Sequence, residues 1–578
     1  MYYAPRRTRT AESGACSYCV AQRERCYTGV RGIPCSNCRR LNLICDGNPS
    51  TEVESQKHIT PLAHCAEDTF ASQIQKAGLE LVSRQNPIPA VAATAPLDNY
   101  LSIVDEFLGP TRTRVPKYVA ELPNRLGRDD LDYLERKGAL SLPSDQLRAE
   151  LLKSYILWVH PQVPVLDPEA FLCAITGTRT DSGISLLLFQ AVMFAAAAFV
   201  DISHLRNAGY SSRKAARDTL FRRVKTLLEL DCEDDRLVTI QSLLLLIHWH
   251  DLPNEEKDAN HWMGVCLSLA MSIGLHRNPD SEAMTPSQQQ IWRRTWWSMH
   301  NHSRLTAEDL LSMMSIEDRE DGALSDITMV TLKDFNFGVF SREARSVVND
   351  ESDVLRSTEY QRTQAIVFIE KTRLCRVSQF SRISNHISRM VFGTETHEST
   401  SLERSPPDPN EAEHLDLHRW LSQLSAAGRY HYPLMLMPSE WDRSIYLHRT
   451  WVRLLYLGSA YAACGDGRDG LGNASIDSIT PRSEHSCQYV LDMTDIFDEV
   501  QSLGLSDNLP SPCMALLILS FSFHRRSVEL ETPSARTVGA RALHKCWNGI
   551  RQLQETSVLG RRMVLLVEDN VRADIWDL

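Results

Sequence analysis

Six cysteines crowd into residues 16–45: Cys16, Cys19, Cys26, Cys35, Cys38 and Cys45, out of 15 in a chain of 578 residues. They form two copies of one spacing, C-x2-C-x6-C, separated by eight residues, and the flanks agree, Cys16-Ser17-Tyr18-Cys19 against Cys35-Ser36-Asn37-Cys38. A C-x2-C pair that opens a helical turn presents two thiolates to one metal, and a cysteine seven residues later, about two turns on, can return to it. Each half therefore offers three ligands, one short of a tetrahedron. Two zinc ions need about eight bonds and six thiolates supply six, so the set closes if two sulfurs bridge. The equivalent first cysteines, Cys16 and Cys35, suit that role. A redox cluster or a metallothionein-like scavenger is the competing use of such thiols. A disulfide framework needs an oxidising compartment, and Met1-Tyr2-Tyr3-Ala4-Pro5-Arg6-Arg7 lacks the apolar stretch of a secretory signal.

Charge sets the same segment apart. The chain carries −11 overall. Up to Asp46 it holds eight arginines (Arg6, Arg7, Arg9, Arg23, Arg25, Arg31, Arg39, Arg40) and no lysine against Glu12, Glu24 and Asp46, a surplus of +5 that leaves −16 for the remainder. A small basic head on a large acidic body points to a polyanion contact confined to the N-terminus. Six thiolates and two Zn2+ would lower that surplus to about +3, which predicts modest affinity.

The cysteine segment resembles the fungal binuclear zinc cluster, the DNA-binding module of many fungal transcription regulators, and all six ligand positions match. The resemblance implies two structural Zn2+ ions per chain, double-stranded DNA as partner, a nuclear location, and a short recognition helix that reads a CGG-type triplet in the major groove. Gly32-Ile33-Pro34 would turn the chain between the halves. Such modules usually carry a dense basic run between the second and third cysteines. This chain has Val20-Ala21-Gln22-Arg23-Glu24-Arg25 instead. By position, Arg23 would contact guanine, Gln22 would assist, and Arg25 would lie on phosphate, with Arg39 and Arg40 adding backbone contacts. Arg6, Arg7 and Arg9 would form a flexible arm, a pattern also met in nuclear-import signals.

Residues 1–50 are thus expected to form the zinc module, 51–144 a linker, and 145–578 a large all-α regulatory domain, so the fold class is mostly α. The linker reading rests on recurrent prolines (Pro61, Pro87, Pro89, Pro96, Pro110, Pro116, Pro123) and the low-complexity stretch Ala90-Val91-Ala92-Ala93-Thr94-Ala95. Phe70, Ile74, Ala77 and Leu81 fit heptad spacing for under two heptads, with Gly78 inside. That reads as a single amphipathic helix before it reads as a zipper, and leaves homodimer and heterodimer open.

The body shows helical periodicity almost throughout. From Asp258 to Ile273, apolar side chains recur at Trp262, Val265, Cys266, Leu269 and Ile273, and Gly274 stands where a C-cap belongs. Asp231-Cys232-Glu233-Asp234-Asp235 reads as a cap before a helix beginning near Leu237. Apolar runs at Leu186–Val200 and Leu243–Trp249 are too short to span a bilayer and read as buried helices, so no membrane partner is expected. Three segments, His160-Pro161-Gln162-Val163-Pro164-Val165-Leu166, Ser272-Ile273-Gly274-Leu275-His276-Arg277 and Trp292-Arg293-Arg294-Thr295-Trp296-Trp297-Ser298, resemble the regulatory region that accompanies fungal zinc clusters. The likeness covers residues 147–330, with the cutinase-regulator branch as the nearest comparison.

Trp292, Trp296 and Trp297 are expected in the core, with a tryptophan-lined ligand pocket as the alternative. His248, His250, His261 and His276 read as satisfied core histidines rather than a metal site, Gly465–Gly470 as a loop, and Glu398–Glu413 as an exposed insertion. The function implied is a sequence-specific regulator of RNA polymerase II genes that controls a metabolic or secondary-metabolite gene set, is no enzyme, and contacts the transcription machinery and a small-molecule effector. The rivals are a modulator that sequesters another regulator without binding DNA, and an all-α enzyme with a vestigial zinc cluster.

Overall fold

A computed structural model describes residues 7–9, 26–28, 115–177, 183–248, 259–279, 283–305, 327–348, 355–378, 387, 409–431, 439–464, 481–530, 533–554 and 557–570. The chain divides into two units, Met1–Val104 and Asp105–Leu578. In the first, β1 (Arg7–Arg9) pairs antiparallel with β2 (Cys26–Thr28), matching Arg7 with Thr28, Thr8 with Tyr27 and Arg9 with Cys26. The heptad-like residues 70–81 lie outside the described residues.

The second unit is built of helices. In chain order these are α1 (Arg128–Arg136), α2 (Asp145–Ser154), α3 (Pro168–Ile175), α4 (Leu186–Ala196), α5 (Ile202–Asn207), α6 (Arg213–Glu229), α7 (Arg236–His248), α8 (Ala259–Ser272) and α9 (Pro286–Leu305). They continue with α10 (Arg342–Val347), α11 (Thr358–Val377), α12 (Pro409–Gln423), α13 (Glu440–Ala463), α14 (Pro481–Ser502), α15 (Cys513–Leu530), α16 (Pro533–Leu553) and α17 (Val558–Asn570). The large all-α body expected from the periodicity is what the chain forms.

Short polar side chains start these helices by accepting the orphan N–H groups of the first turn. Ser144 accepts from Leu147 N, Asp167 from Ala170 N with Pro168 at the first helical position, Ser185 from Leu188 N and Ser212 from Ala215 N. Asp235 accepts from Leu237 and Val238 N at 2.8 and 3.3 Å, so the acidic run at 231–235 acts as the cap of α7. Gly274, with φ of +73°, follows α8, and the left-handed conformation it takes there is one that a side chain would strain.

Every residue of α4 is buried, as its uninterrupted apolar run predicts. Gln190, fully enclosed, donates to the carbonyls of Ala139 and Ser141 at 3.1 and 2.9 Å, so the one amide in the run ties the α1–α2 connection to the core. Helix α9 is buried on most of its circumference from Trp292 to Leu305. Among the described residues, no helix is long and apolar enough to cross a membrane.

The ordered body begins before residue 145. Val119 forms a parallel bridge with Ile184, Ala120 N donates to Ile184 O and Ile184 N to Tyr118 O, and Leu134 and Ala139 are fully buried. Pro116 and Pro123 thus sit in a strap laid on the body, because the apolar side chains between and after them find a surface that proline content alone does not reveal. Likewise, the insertion expected to reach Glu413 ends earlier: Pro409 opens α12, as proline at a helix start allows.

The scattered cysteines behave differently from the clustered six. Cys173, Cys232, Cys266, Cys375, Cys464, Cys513 and Cys546 are buried thiols outside any disulfide, and burial raises Cys375 to about 11 and Cys546 to about 12. They are inert core residues.

Candidate functional site

Of the residues that the sequence marks for metal and DNA, the structure places only Cys26, in β2 opposite Arg9. Cys16, Cys19, Cys35, Cys38, Cys45, Gln22, Arg23, Arg25, Arg39 and Arg40 lie outside the described residues, as do His250 and the 465–470 loop.

In the body, the tryptophans take the core role. Trp292 and Trp297 donate their indole N–H groups to the carbonyls of Arg277 and Thr328 at 3.1 and 3.0 Å, and Trp296 is 3% exposed. Neither of the two cavities described below is lined by them. Among the described residues there is no cluster of three or more histidine, cysteine or carboxylate side chains able to hold a metal ion.

Two polar features remain inside the helical body. The first is a buried relay. Lys371 of α11 donates to the backbone carbonyl of Gln162 at 2.9 Å and to its side-chain oxygen at 2.8 Å, and its ammonium lies 5.3 Å from the Phe368 ring centre. The amide oxygen of Gln162 is thereby an acceptor, so its Nε2 donates to His448 Nδ1 at 2.6 Å. His448 must then carry its proton on Nε2, which donates to Leu157 O at 3.0 Å. Burial lowers Lys371 to about 8 and His448 to about 4. The relay joins the turn after α2 to α11 and α13, and all its polar atoms are partnered.

The second feature is a cavity of about 120 Å³ between the 160–169 segment, α9, the 335–340 segment, α11 and Trp441. Apolar walls come from Phe335, Phe337, Phe340, Phe368 and Trp441. The lining residue Arg294 is 3% exposed, its Nε has no hydrogen-bond partner, and its guanidinium carbon stands 5.4 Å from the Phe335 ring centre; burial pulls the group below its usual value against the opposing charges of Asp167 and Asp334, neither of which pairs with it. Its chain neighbour Arg293 is paired with Asp334 at 3.0 Å. Two further lining residues, His160 and Gln364, hold buried nitrogens, Nδ1 and Nε2, without a partner, and the Tyr155 hydroxyl beside His160 is likewise unpartnered. Burial, seconded by the Arg294 charge, lowers His160 to about 3, so its ring is neutral at physiological pH. The carboxylates of the wall are engaged: Asp167 accepts from Ala170 N and Asn336 Nδ2, and Glu169 accepts from Ser341 N.

Arg294 escapes a reading that follows tryptophans, yet its place is written in the helical period. It shares a face with Trp297, Ser298, Asn301 and Leu305 at +3, +4, +7 and +11, all buried, whereas Arg293 is turned by about 100° toward Asp334.

An open groove of about 540 Å³ between α12, α13 and α14 is larger, but several of its polar side chains pair with one another or with backbone carbonyls. Glu499 accepts from both the Tyr430 and Tyr446 hydroxyls at 2.6 Å, and Arg453 faces Asp492 at 3.5 Å.

Residues 152–299 match the family described as fungal specific transcription factor domain, inside the region where the sequence resemblance lies. Cutinase transcription factor 1 beta of Fusarium vanettenii is 31% identical over 76% of this chain and 51% of its own length. Transcription factor cpaR of Aspergillus oryzae is 27% identical over 95% of both chains, and the acetamidase regulatory protein of Aspergillus oryzae is 32% identical over 31% of this chain and 22% of its own. The chain thus spans about half the length of the cutinase factor that it matches. No solved structure matches it. The helical body thus carries, over residues 152–299, a match to a fungal transcription-factor domain, and the relatives that the chain resembles are named as transcription factors and regulators.

Proposed function

We propose that this protein is a zinc-dependent, sequence-specific fungal transcription regulator, acting in the nucleus on RNA polymerase II genes. What carries the reading is the order of two features in one chain: a doubled C-x2-C-x6-C segment with a basic surplus, followed by a domain of the fungal transcription-factor family. The donor set fits zinc, since six thiols at repeated spacing suit two tetrahedral, thiolate-bridged ions in a piece with too little apolar content to fold by itself. Cys16, Cys19, Cys26, Cys35, Cys38 and Cys45 would hold the metal, whose part is structural. Arg23 and Gln22 would read base edges, while Arg25, Arg39 and Arg40 would neutralise phosphates.

The sparse charge between the second and third cysteines supports weak binding by a single head, made up by a second head or a partner regulator. Relatives named for cutinase and acetamidase regulation favour a metabolic gene set as target. A mobility-shift titration with duplexes containing CGG triplets tests the proposal. The full chain should prefer them over scrambled DNA in a salt-sensitive way, and Arg23→Ala should lose that preference. If the wild type shows no preference, direct reading of DNA is excluded and the sequestering modulator takes its place.

A further inference from the structure

The cavity beside Arg294 has the makings of a ligand site that neither the zinc segment nor the family match assigns. A guanidinium is charged at any physiological pH, and enclosing one without a carboxylate is costly. Arg294 is 3% exposed and has no such partner among the described residues, although Asp334 is near enough to pair with the adjacent Arg293. Around it, Gln364 Nε2 and the Tyr155 hydroxyl are hydrogen-bond donors without acceptors, and neutral His160 has one ring nitrogen unpartnered. The wall carboxylates are turned to backbone and amide N–H groups, and neither forms a salt bridge with the guanidinium. A buried guanidinium without a salt bridge, beside N–H and O–H groups that have no partner, suits a ligand that is itself an acceptor and negatively charged. The rest of the lining, with Phe335, Phe337, Phe340, Phe368 and Trp441, suits an apolar group.

We propose that this cavity binds a small organic carboxylate, its anionic head held by Arg294 with Gln364 and His160 and its apolar part against the phenylalanines. Volume sets the size: a dry cavity of about 150 Å³ takes benzene, so about 120 Å³ admits a group of about four to six carbons. The residues involved come from segments far apart in the chain, at 160–169, 294, 335–340, 361–368 and 441, so occupancy would draw them together and couple ligand to the stability of the family domain.

The test is thermal unfolding and calorimetric titration of the full chain with butyrate and valerate, against the size-matched neutral amides and cationic amines. The carboxylates should give saturable binding and a rise in melting temperature of about 2–5 °C near saturation, and the amides and amines should not. Arg294→Met, which keeps length and apolar bulk, should melt at or above the wild-type temperature without ligand and lose the shift. Gln364→Glu, which sets a negative charge in the cavity, should weaken binding at least tenfold while the fold persists. Equal binding of acid and amide, no saturable binding of any carboxylate, or a shift unchanged in Gln364→Glu would overturn the proposal. None of these readouts involves DNA, so they stand or fall apart from the DNA-binding reading.

Discussion

The ammonium of Lys371 is held 2.8 Å from the side-chain oxygen of Gln162, a residue 209 positions earlier, and 2.9 Å from its carbonyl, in an interior where it has 2% of its surface exposed. Neither acceptor is charged, so burial acts on the ammonium almost unopposed.

This makes stability rise with pH on the alkaline side. The folded state holds Lys371 at about 8 while an unfolded lysine titrates at 10.5, so between those values the unfolded chain binds more protons. Unfolding free energy should climb from about pH 8 to about 10.5 through this group, and Lys371→Met should remove that part of the slope. Denaturant midpoints across the pH series check it.

Acid should act through enclosed histidines. His160 is lowered to about 3, and His302, His448 and His524 to about 4, in each case chiefly by burial. Their contribution is complete above the ordinary value of 6.5 and is lost as pH falls from there toward about 4, because the unfolded chain takes up the protons first. Acid titration by circular dichroism should show loss of helix within that window, and His524→Gln should shift the midpoint to lower pH.

Gly183 should tolerate no side chain. A Cβ there would stand 2.5 Å from Ala120 N and 2.6 Å from Val119 C, at the bridge that docks the strap. Gly183→Ala should cost about 1–3 kcal/mol, read by chemical denaturation, and should expose residues near 115–126 to limited proteolysis.

Removal of metal should separate the two ends of the chain. The purified protein should contain two zinc ions, and chelation should abolish retention on CGG-containing DNA while leaving the melting temperature of the helical body unchanged, as followed by scanning calorimetry. A body that melts earlier on chelation would show that the metal supports more than the cysteine segment.

Much of the architecture was legible because it depends on local order. The apolar run of α4, the period and terminal glycine of α8, and the acidic cap of α7 each follow from neighbours within a few turns. The strap at 115–144 was not legible, since its prolines describe an irregular backbone whether or not a surface receives it. The start of α12 at Pro409 escaped for a similar reason: proline ends some segments and opens others.

The sequence alone determined where thiols and positive charge gather, which elements are helical, and that the tryptophans of α9 belong inside, because spacing and hydrophobic period are properties of the chain itself. Only the tertiary structure decided which of two adjacent arginines is paired. Arg293 meets Asp334, and Arg294, one residue on and turned by about 100°, faces phenylalanines and unpartnered donors. That difference lies in contacts between segments tens to hundreds of residues apart, and packing, not local preference, brings those segments together.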